Sequence, residues 1–300
     1  MIGRRRVLAG LGLAGAFATF TPARALPDPP NPAMRRQYVD GAFGQIHLRI
    51  ADPSGASATA NTLVLLHQTA LSGRMFERFM PYLARQRRVI AVDTPGYGES
   101  DRPSVRPNLA GYADAITEAI QAVAGERFDV LGYHTGAAIA ADMAARREEV
   151  AKCVLVSMPY FSAERRDELI AMIGNPDDPI EDYAEDGSHL LPLWQGSFRA
   201  RADGQSNDDI ARLVAEKQRA GRFGAWALLS ALEASLAATL ASIEKPVLVL
   251  APHDGLQAES RAAASAIRDA ALIELPDHAY GLFDVAPAIV AAPVLAFLDR

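Results

Sequence analysis

The sequence predicts an α/β fold: a mostly parallel sheet with helices on both faces and an inserted helical cap. Three observations predict it. Short, continuous apolar runs at residues 62–66, 88–93, 128–131, 153–156 and 247–250 are bounded by turn residues, as expected of strands covered on both faces. Segments of helical spacing lie between them, and strands alternating with helices build parallel sheets. The rhythm breaks once, between 159 and about 244, where several helical patterns occur without a clear strand. The chain of 300 residues, half of them apolar and 22% charged, supports one large or two small domains of ordinary globular composition.

The N-terminal residues read as an address. Arg4, Arg5 and Arg6 precede an apolar, Gly/Ala-rich run to Phe20, and Ala23-Arg24-Ala25 supplies an A-x-A cleavage site. Residues 1–25 are therefore expected to be a secretory signal peptide, with the arginine group pointing to the twin-arginine route and a periplasmic or secreted destination. The apolar run over 7–20 is shorter than the ~20 residues a spanning helix needs, so no stable membrane association is expected once the signal is removed. Residues 26–36, rich in proline, read as an extended linker. Removing 1–25 takes away four arginines and no acid, and moves the formal charge from −6 to −10. An acidic chain argues against nucleic acid or anionic membranes as partners. The one cysteine, Cys153, sits in an apolar strand and reads as a small core residue.

The core is expected over 37–158 and 245–300, with 159–244 as the cap. Residues 37–41 and 45–50 alternate polar and apolar around a glycine turn and read as an antiparallel hairpin. After strand 62–66, residues 75–85 have helical spacing. Strand 88–93, helix 112–123, strand 128–131 and helix 137–145 follow, then strand 153–156. Within the cap, helical patterns at 163–173, 208–219 and 225–243 are separated by Gly/Pro/Asn-rich punctuation. The sheet resumes at 246–250 and 272–275, and a helix at 289–298 closes the chain.

Gly132-Tyr133-His134-Thr135-Gly136 joins a strand to a helix. It matches the G-x-S-x-G turn that exposes a nucleophile above a sheet edge, but with histidine at its tip. Upstream, His67-Gln68-Thr69 follows a strand, and Asp93-Thr-Pro-Gly-Tyr-Gly-Glu-Ser-Asp101 follows the next. Downstream come Asp254 after strand 247–250 and a final Leu-Pro…Phe-Asp-x-Ala-Pro block. In this order and spacing the motifs resemble the α/β-hydrolase family over residues 37–300. The resemblance implies that His134 holds the nucleophile position. The oxyanion amides would come from Thr135 and Thr69, with Gln68 replacing a glycine and either addressing the substrate or narrowing the hole. The acid aligns with Asp254, or one residue later with Gly255. The base position falls at Tyr280, with His278 two residues earlier as a substitute.

Imidazole is itself nucleophilic when neutral, so three mechanisms follow. His134 can attack an acyl carbon, act as general base on water aimed at an ester or lactone carbonyl, or move a proton in a non-hydrolytic lyase or isomerase reaction. The second keeps the oxyanion hole useful and is preferred, with Asp254, His278 and Tyr280 orienting His134 or the water. A pseudoenzyme that only binds a small ligand is the rival outside catalysis. His67, His134, His253 and His278 all follow strands beside Asp254, yet no compact ligand motif such as H-x-x-x-H is present, so neither metal nor cofactor is expected. Tyr133, Trp194 and Trp226, together with the cap residues Tyr183, His189, Phe198 and Phe223, are the candidates to shape the pocket. A largely apolar pocket is the default, which points to a small apolar ester, lactone or ketone as partner. Gly10, Gly12 and Gly15 mimic a dinucleotide fingerprint, but they lie in the expected signal peptide.

Overall fold

The computed structural model describes residues 26–29, 33–53, 60–174 and 183–300; the expected signal peptide lies outside them. In chain order the elements are β1 (Met34–Gly41), β2 (Gly44–Ala51), β3 (Thr62–Leu66), α1 (Met80–Leu83), β4 (Val89–Val92), α2 (Leu109–Ala124), β5 (Phe128–Tyr133), α3 (Thr135–Arg146) and β6 (Val150–Val156). Then follow α4 (Ala163–Ile173), α5 (Leu190–Arg199), α6 (Asn207–Ala220), α7 (Trp226–Glu233) and α8 (Leu236–Ala241). The chain returns to the sheet with β7 (Val247–Pro252), α9 (Gln257–Ala266), β8 (Ala270–Leu275), α10 (Leu282–Val285) and α11 (Pro287–Leu298).

The described strands form one sheet in the order β1-β2-β4-β3-β5-β6-β7-β8. The β1–β2 and β2–β4 pairs are antiparallel and all others parallel, which is the fold class expected from the sequence. Alternate residues of each strand point to opposite faces. Val64 and Leu66 pack with Tyr112, Ile116 and Ile139 on one face, and Leu63 and Leu65 pack with Phe79, Leu83 and Val294 on the other. Five helices, α4 to α8, lie between β6 and β7 among the described residues. None of the described helices is long and apolar enough to cross a membrane.

Several elements differ from expectation. The helix expected at 75–85 is a 3-10 turn at Gly73–Phe76 followed by α1. Pro81 lacks an N–H and cannot continue a helix from residue 77, but it suits the first turn of a new one. The pattern over 225–243 divides at Ala234, which is extended, and Ser235, whose type favours helix starts. Helix α5 was not anticipated, and it keeps Leu190 and Leu191 exposed. Strand β1 begins at Met34, inside the expected linker, where its residues pair with β2.

The glycines of the elbow are required by contact. A Cβ on Gly132 would lie 2.1 Å from Gly136 O, and one on Gly136 would lie 2.2 Å from Leu66 O. The segment 93–101 is held by Asp93, which is fully buried. Its carboxylate accepts Gly73 N at 2.7 Å, and His47 Nδ1 and Glu99 N at 2.9 Å. These bonds hold it below the usual carboxylate range, although burial alone would raise it. Gly98, at φ +56°, lets the loop pass so close to Asp93 that a Cβ would meet its Oδ2 at 2.2 Å.

Candidate active site

His134 sits at the junction of β5 and α3 with φ 50° and ψ −117°, a left-handed conformation that non-glycine residues seldom adopt and that clusters at functional sites. Its backbone N–H donates to Val156 O at 3.0 Å, and its carbonyl begins the helix by accepting from Ala137 N at 2.8 Å. Helix α3 has no side-chain cap. The Thr135 N–H therefore stands at a helix N-terminus, beside His134, without a partner among the described residues. That is the position from which a backbone amide can receive a developing oxyanion.

The side chain of His134 meets Asp254. Its Nε2 lies 2.9 Å from Asp254 Oδ2; the imidazole is 15% exposed and the carboxylate wholly buried. Asp254 Oδ2 also accepts the Ser157 hydroxyl at 2.5 Å and the Tyr133 phenol at 3.3 Å, and Oδ1 accepts Leu256 N at 3.2 Å. Burial alone would raise the carboxyl. The hydrogen bond and charge of His134, then Ser157 and Leu256, outweigh it and hold Asp254 below the usual carboxylate range. An ionised carboxylate can only accept, so Nε2 of the neutral ring carries the proton and Nδ1 carries the lone pair. Nδ1 has no hydrogen-bond partner among the described residues.

Tyr280 packs against this imidazole, with ring centroids 5.6 Å apart, and remains 39% exposed. Burial and then the Asp254 charge push its phenol above the ordinary value, so it stays a hydrogen-bond donor at neutral pH. His278 is not brought into the cluster. Its N–H donates to Leu275 O and its carbonyl accepts His253 N, while its ring contacts neither His134 nor Asp254 among the described residues. The chain then turns through Gly281 at φ 77° and presents Tyr280 instead.

The loop after β3 is built around His67. Its Nδ1–H donates to Gln68 O at 2.8 Å, and its Nε2 accepts Thr94 N at 3.0 Å. With both nitrogens engaged and burial lowering its basicity, His67 is a neutral structural strut for Gln68 and Thr69. Tyr97 stacks edge-on to it at 5.7 Å and ties the loop to the cap. Its hydroxyl donates to Gly224 O and accepts from Ala227 N. Among the described residues, no group of three or more His, Cys, Asp or Glu could hold a metal ion.

A cavity of about 90 Å³ is lined by Gln68, Tyr133 and Phe283 and walled by Arg74, Arg78 and Glu216. Arg74 and Glu216 approach to 3.1 Å and Arg78 and Asp209 to 2.7 Å, joining the core to α6 across this space. Ion-paired side chains thus form part of a wall that also carries Leu71, Met75 and Leu213, and His134, Asp254 and Tyr280 are not among the residues that line the cavity. Trp226 and Trp194 do not line it. Trp226 is 7% exposed and packs on Phe223 at 4.9 Å, and Trp194 lies in a separate outer groove with Phe198. The helix of Trp226 buries it with Ala227, Leu229 and Leu232, whereas α5 buries only Ser197 and leaves Trp194 on the outer side. The sequence reading missed Ser157, whose only local signal is a polar residue closing an apolar strand. Cys153 is buried in the core, where burial pushes its thiol well up.

Comparison with known proteins agrees with this architecture. A family model described as the alpha/beta hydrolase fold matches residues 61–265. The 2-(acetamidomethylene)succinate hydrolase of Mesorhizobium japonicum is 23% identical over 268 residues, covering 86% of this chain and 93% of that protein. An esterase from Exiguobacterium antarcticum superposes with a TM-score of 0.72 at 18% identity, covering 88% of this chain and 99% of its own. The enol-lactonase from Burkholderia xenovorans superposes with a TM-score of 0.69 at 18% identity, covering 88% and 100%. With the strand-to-helix elbow and the strand order in place and the family model matching 61–265, the chain belongs to the α/β-hydrolase fold family.

Proposed function

We propose that the protein hydrolyses a small ester or lactone, with His134 as general base. The observation that carries this reading is the pair between His134 Nε2 and the buried Asp254 carboxylate at 2.9 Å. It leaves Nδ1 basic and places an anion where the imidazolium formed during reaction is stabilised. Water attacks the carbonyl carbon and gives its proton to Nδ1, while the carbonyl π electrons move to oxygen beside the Thr135 N–H and the Thr69 N–H. Collapse of the tetrahedral intermediate breaks the C–O bond, and the departing alkoxide takes the proton from Nδ1. The Tyr280 phenol, next to the imidazole, orients the water or the leaving oxygen as a donor.

The hydrolase, esterase and enol-lactonase relatives support carbonyl hydrolysis in general. The charged wall formed by Arg74, Arg78 and Glu216 favours a substrate with a polar end over a purely apolar one. Export rests on the sequence of residues 1–25 alone. The deciding experiment assays the full chain on short-acyl esters and lactones, wild type against His134→Ala, each with and without chelator. Turnover that disappears in the variant and survives chelation supports the reading. No turnover by the wild type on any of these substrates defeats it.

A further inference from the structure

We propose that Ser157 is a positioning residue, whose hydroxyl holds Asp254 against His134 and so decides which imidazole nitrogen works. The inference rests on the reading of His134 as base and deepens it. Two adjacent parallel strands end alike. His134 follows β5 at φ 50°, and Ser157 follows β6 at φ 52°; these are the only non-glycine residues with positive φ among those described. Such strain persists where the surroundings over-determine it. The backbone of Ser157 is pinned by its N–H to Leu250 O at 3.0 Å, and the next residue by Met158 N to Ser260 Oγ at 3.0 Å. Pinned this way, a completely buried hydroxyl points at Asp254 Oδ2 from 2.5 Å.

Burial excludes Ser157 as a nucleophile, and its O–H is already engaged as a hydrogen-bond donor to the carboxylate. What it can do is fix the rotamer of Asp254. Oδ2 then has one strong acceptor direction occupied by Ser157 and presents the other to His134 Nε2–H. The other groups facing this carboxylate are the Tyr133 phenol from β5, at a longer 3.3 Å, and Leu256 N on Oδ1; Tyr280 faces the imidazole from the loop after β8. Without Ser157, Asp254 can rotate, and His134 loses the partner that keeps its proton on Nε2.

The test compares Ser157→Gly and Ser157→Ala in the full chain. Glycine adopts positive φ freely and alanine does not, so the two variants differ in backbone strain and share the missing hydroxyl. Nitrogen NMR of His134 at alkaline pH reads the tautomer directly. The expected result is a predominantly Nε2–H ring in the wild type and a mixture in both variants. With it, kcat falls about tenfold, the size of one charge-assisted hydrogen bond, and KM is unchanged. An unchanged tautomer in both variants overturns the proposal. So does loss of near-UV circular dichroism in both, which makes Ser157 a folding residue only. The NMR readout needs no turnover. A tautomer change in a protein inactive on every ester and lactone keeps this inference and removes the proposed hydrolysis, and esterase activity with an unchanged tautomer does the reverse.

Discussion

Replacing Asp254 by Asn tests whether the reaction uses the carboxylate charge or only its shape. Asparagine is nearly isosteric. Its one carbonyl oxygen can accept from Leu256 N or from Ser157 but not both, and the amide nitrogen takes the other carboxylate position, so the shape is retained while one of these two bonds is given up. What disappears is the negative charge 2.9 Å from Nε2, the charge that steadies His134 once Nδ1 has taken a proton. At that separation and an effective dielectric of about 20, the pair is worth about 6 kcal/mol. The 15% exposure of the imidazole and the other donors on Asp254 reduce this to about 3–5 kcal/mol. The expected loss is therefore roughly 10²- to 10⁴-fold in kcat, with KM little changed and the melting temperature within a few degrees of wild type. The assay is kcat and kcat/KM for the best ester or lactone from pH 5 to 9. Because Asp254 is held below the usual carboxylate range, it stays ionised throughout that interval, and the acid limb of the wild-type profile does not belong to it. Its depressed folded value also means that it adds stability above its unfolded pKa of ~3.9 and loses it as pH falls through the folded value. The variant should lack that acid-side loss. A kcat within tenfold of wild type across the range would refute the argument from charge.

Three other outcomes are expected. Gly136→Ala forces a Cβ to 2.2 Å from Leu66 O, and the chain should lose at least about 3 kcal/mol in urea unfolding, or fail to fold; a loss under about 1 kcal/mol contradicts the close approach. Burial depresses His67, so protons bind preferentially to the unfolded chain below its reference value of ~6.5. Stability should fall by up to about 1.4 kcal/mol per pH unit just below that point, and His67→Gln should flatten the slope between pH 7 and 5. His134→Ser restores the family's elbow residue without a histidine at position 280, so it should lose the wild-type activity on esters. The double variant His134→Ser/Tyr280→His should exceed it by at least about tenfold in kcat/KM if the phenol occupies the base position, and equal rates in the two variants would contradict that placement.

The fold was legible because its signals are local. Each buried strand is a short apolar run, and the elbow glycines are explained by contacts within a few residues or with the neighbouring strand. Errors fell where two local signals competed. Pro81 divided an otherwise helical pattern, and Ser235 divided another whose alanines and leucines suit a helix on either side. The aromatic residues of the cap misled for a related reason: Trp226 and Trp194 carry apolar surface, but only the packing of their helices decides whether that surface faces the pocket or something else. The charged wall of Arg74, Arg78 and Glu216 brings residues from after β3 together with α6, and no pattern in the sequence announces that meeting.

The cluster around His134 and Asp254 illustrates the same limit more sharply. His134 could be found because it violates a known turn, and Asp254 because it follows a buried strand at the expected place. Ser157 carries no such mark, and its role comes from strand order. β5, β6 and β7 are neighbours, and Tyr133 pairs with Val156, which pairs with Leu250. The next residue after the first two of these is His134 and Ser157, and the loop after the third carries Asp254. Three strand ends in register thus deliver an imidazole, a hydroxyl and a carboxylate to one point. The usual partner of the acid in this architecture comes from the loop after β8, where Tyr280 now stands. With the imidazole moved to the elbow, the carboxylate has to reach toward β5 instead, and the hydroxyl at the end of β6, between the two strands, is the group placed to hold it there. Moving the imidazole from one loop to another therefore changes which neighbour matters, which is why the Asp254 and Ser157 variants should fail in the same way, by loss of kcat with KM preserved, while His278→Ala should leave both unchanged.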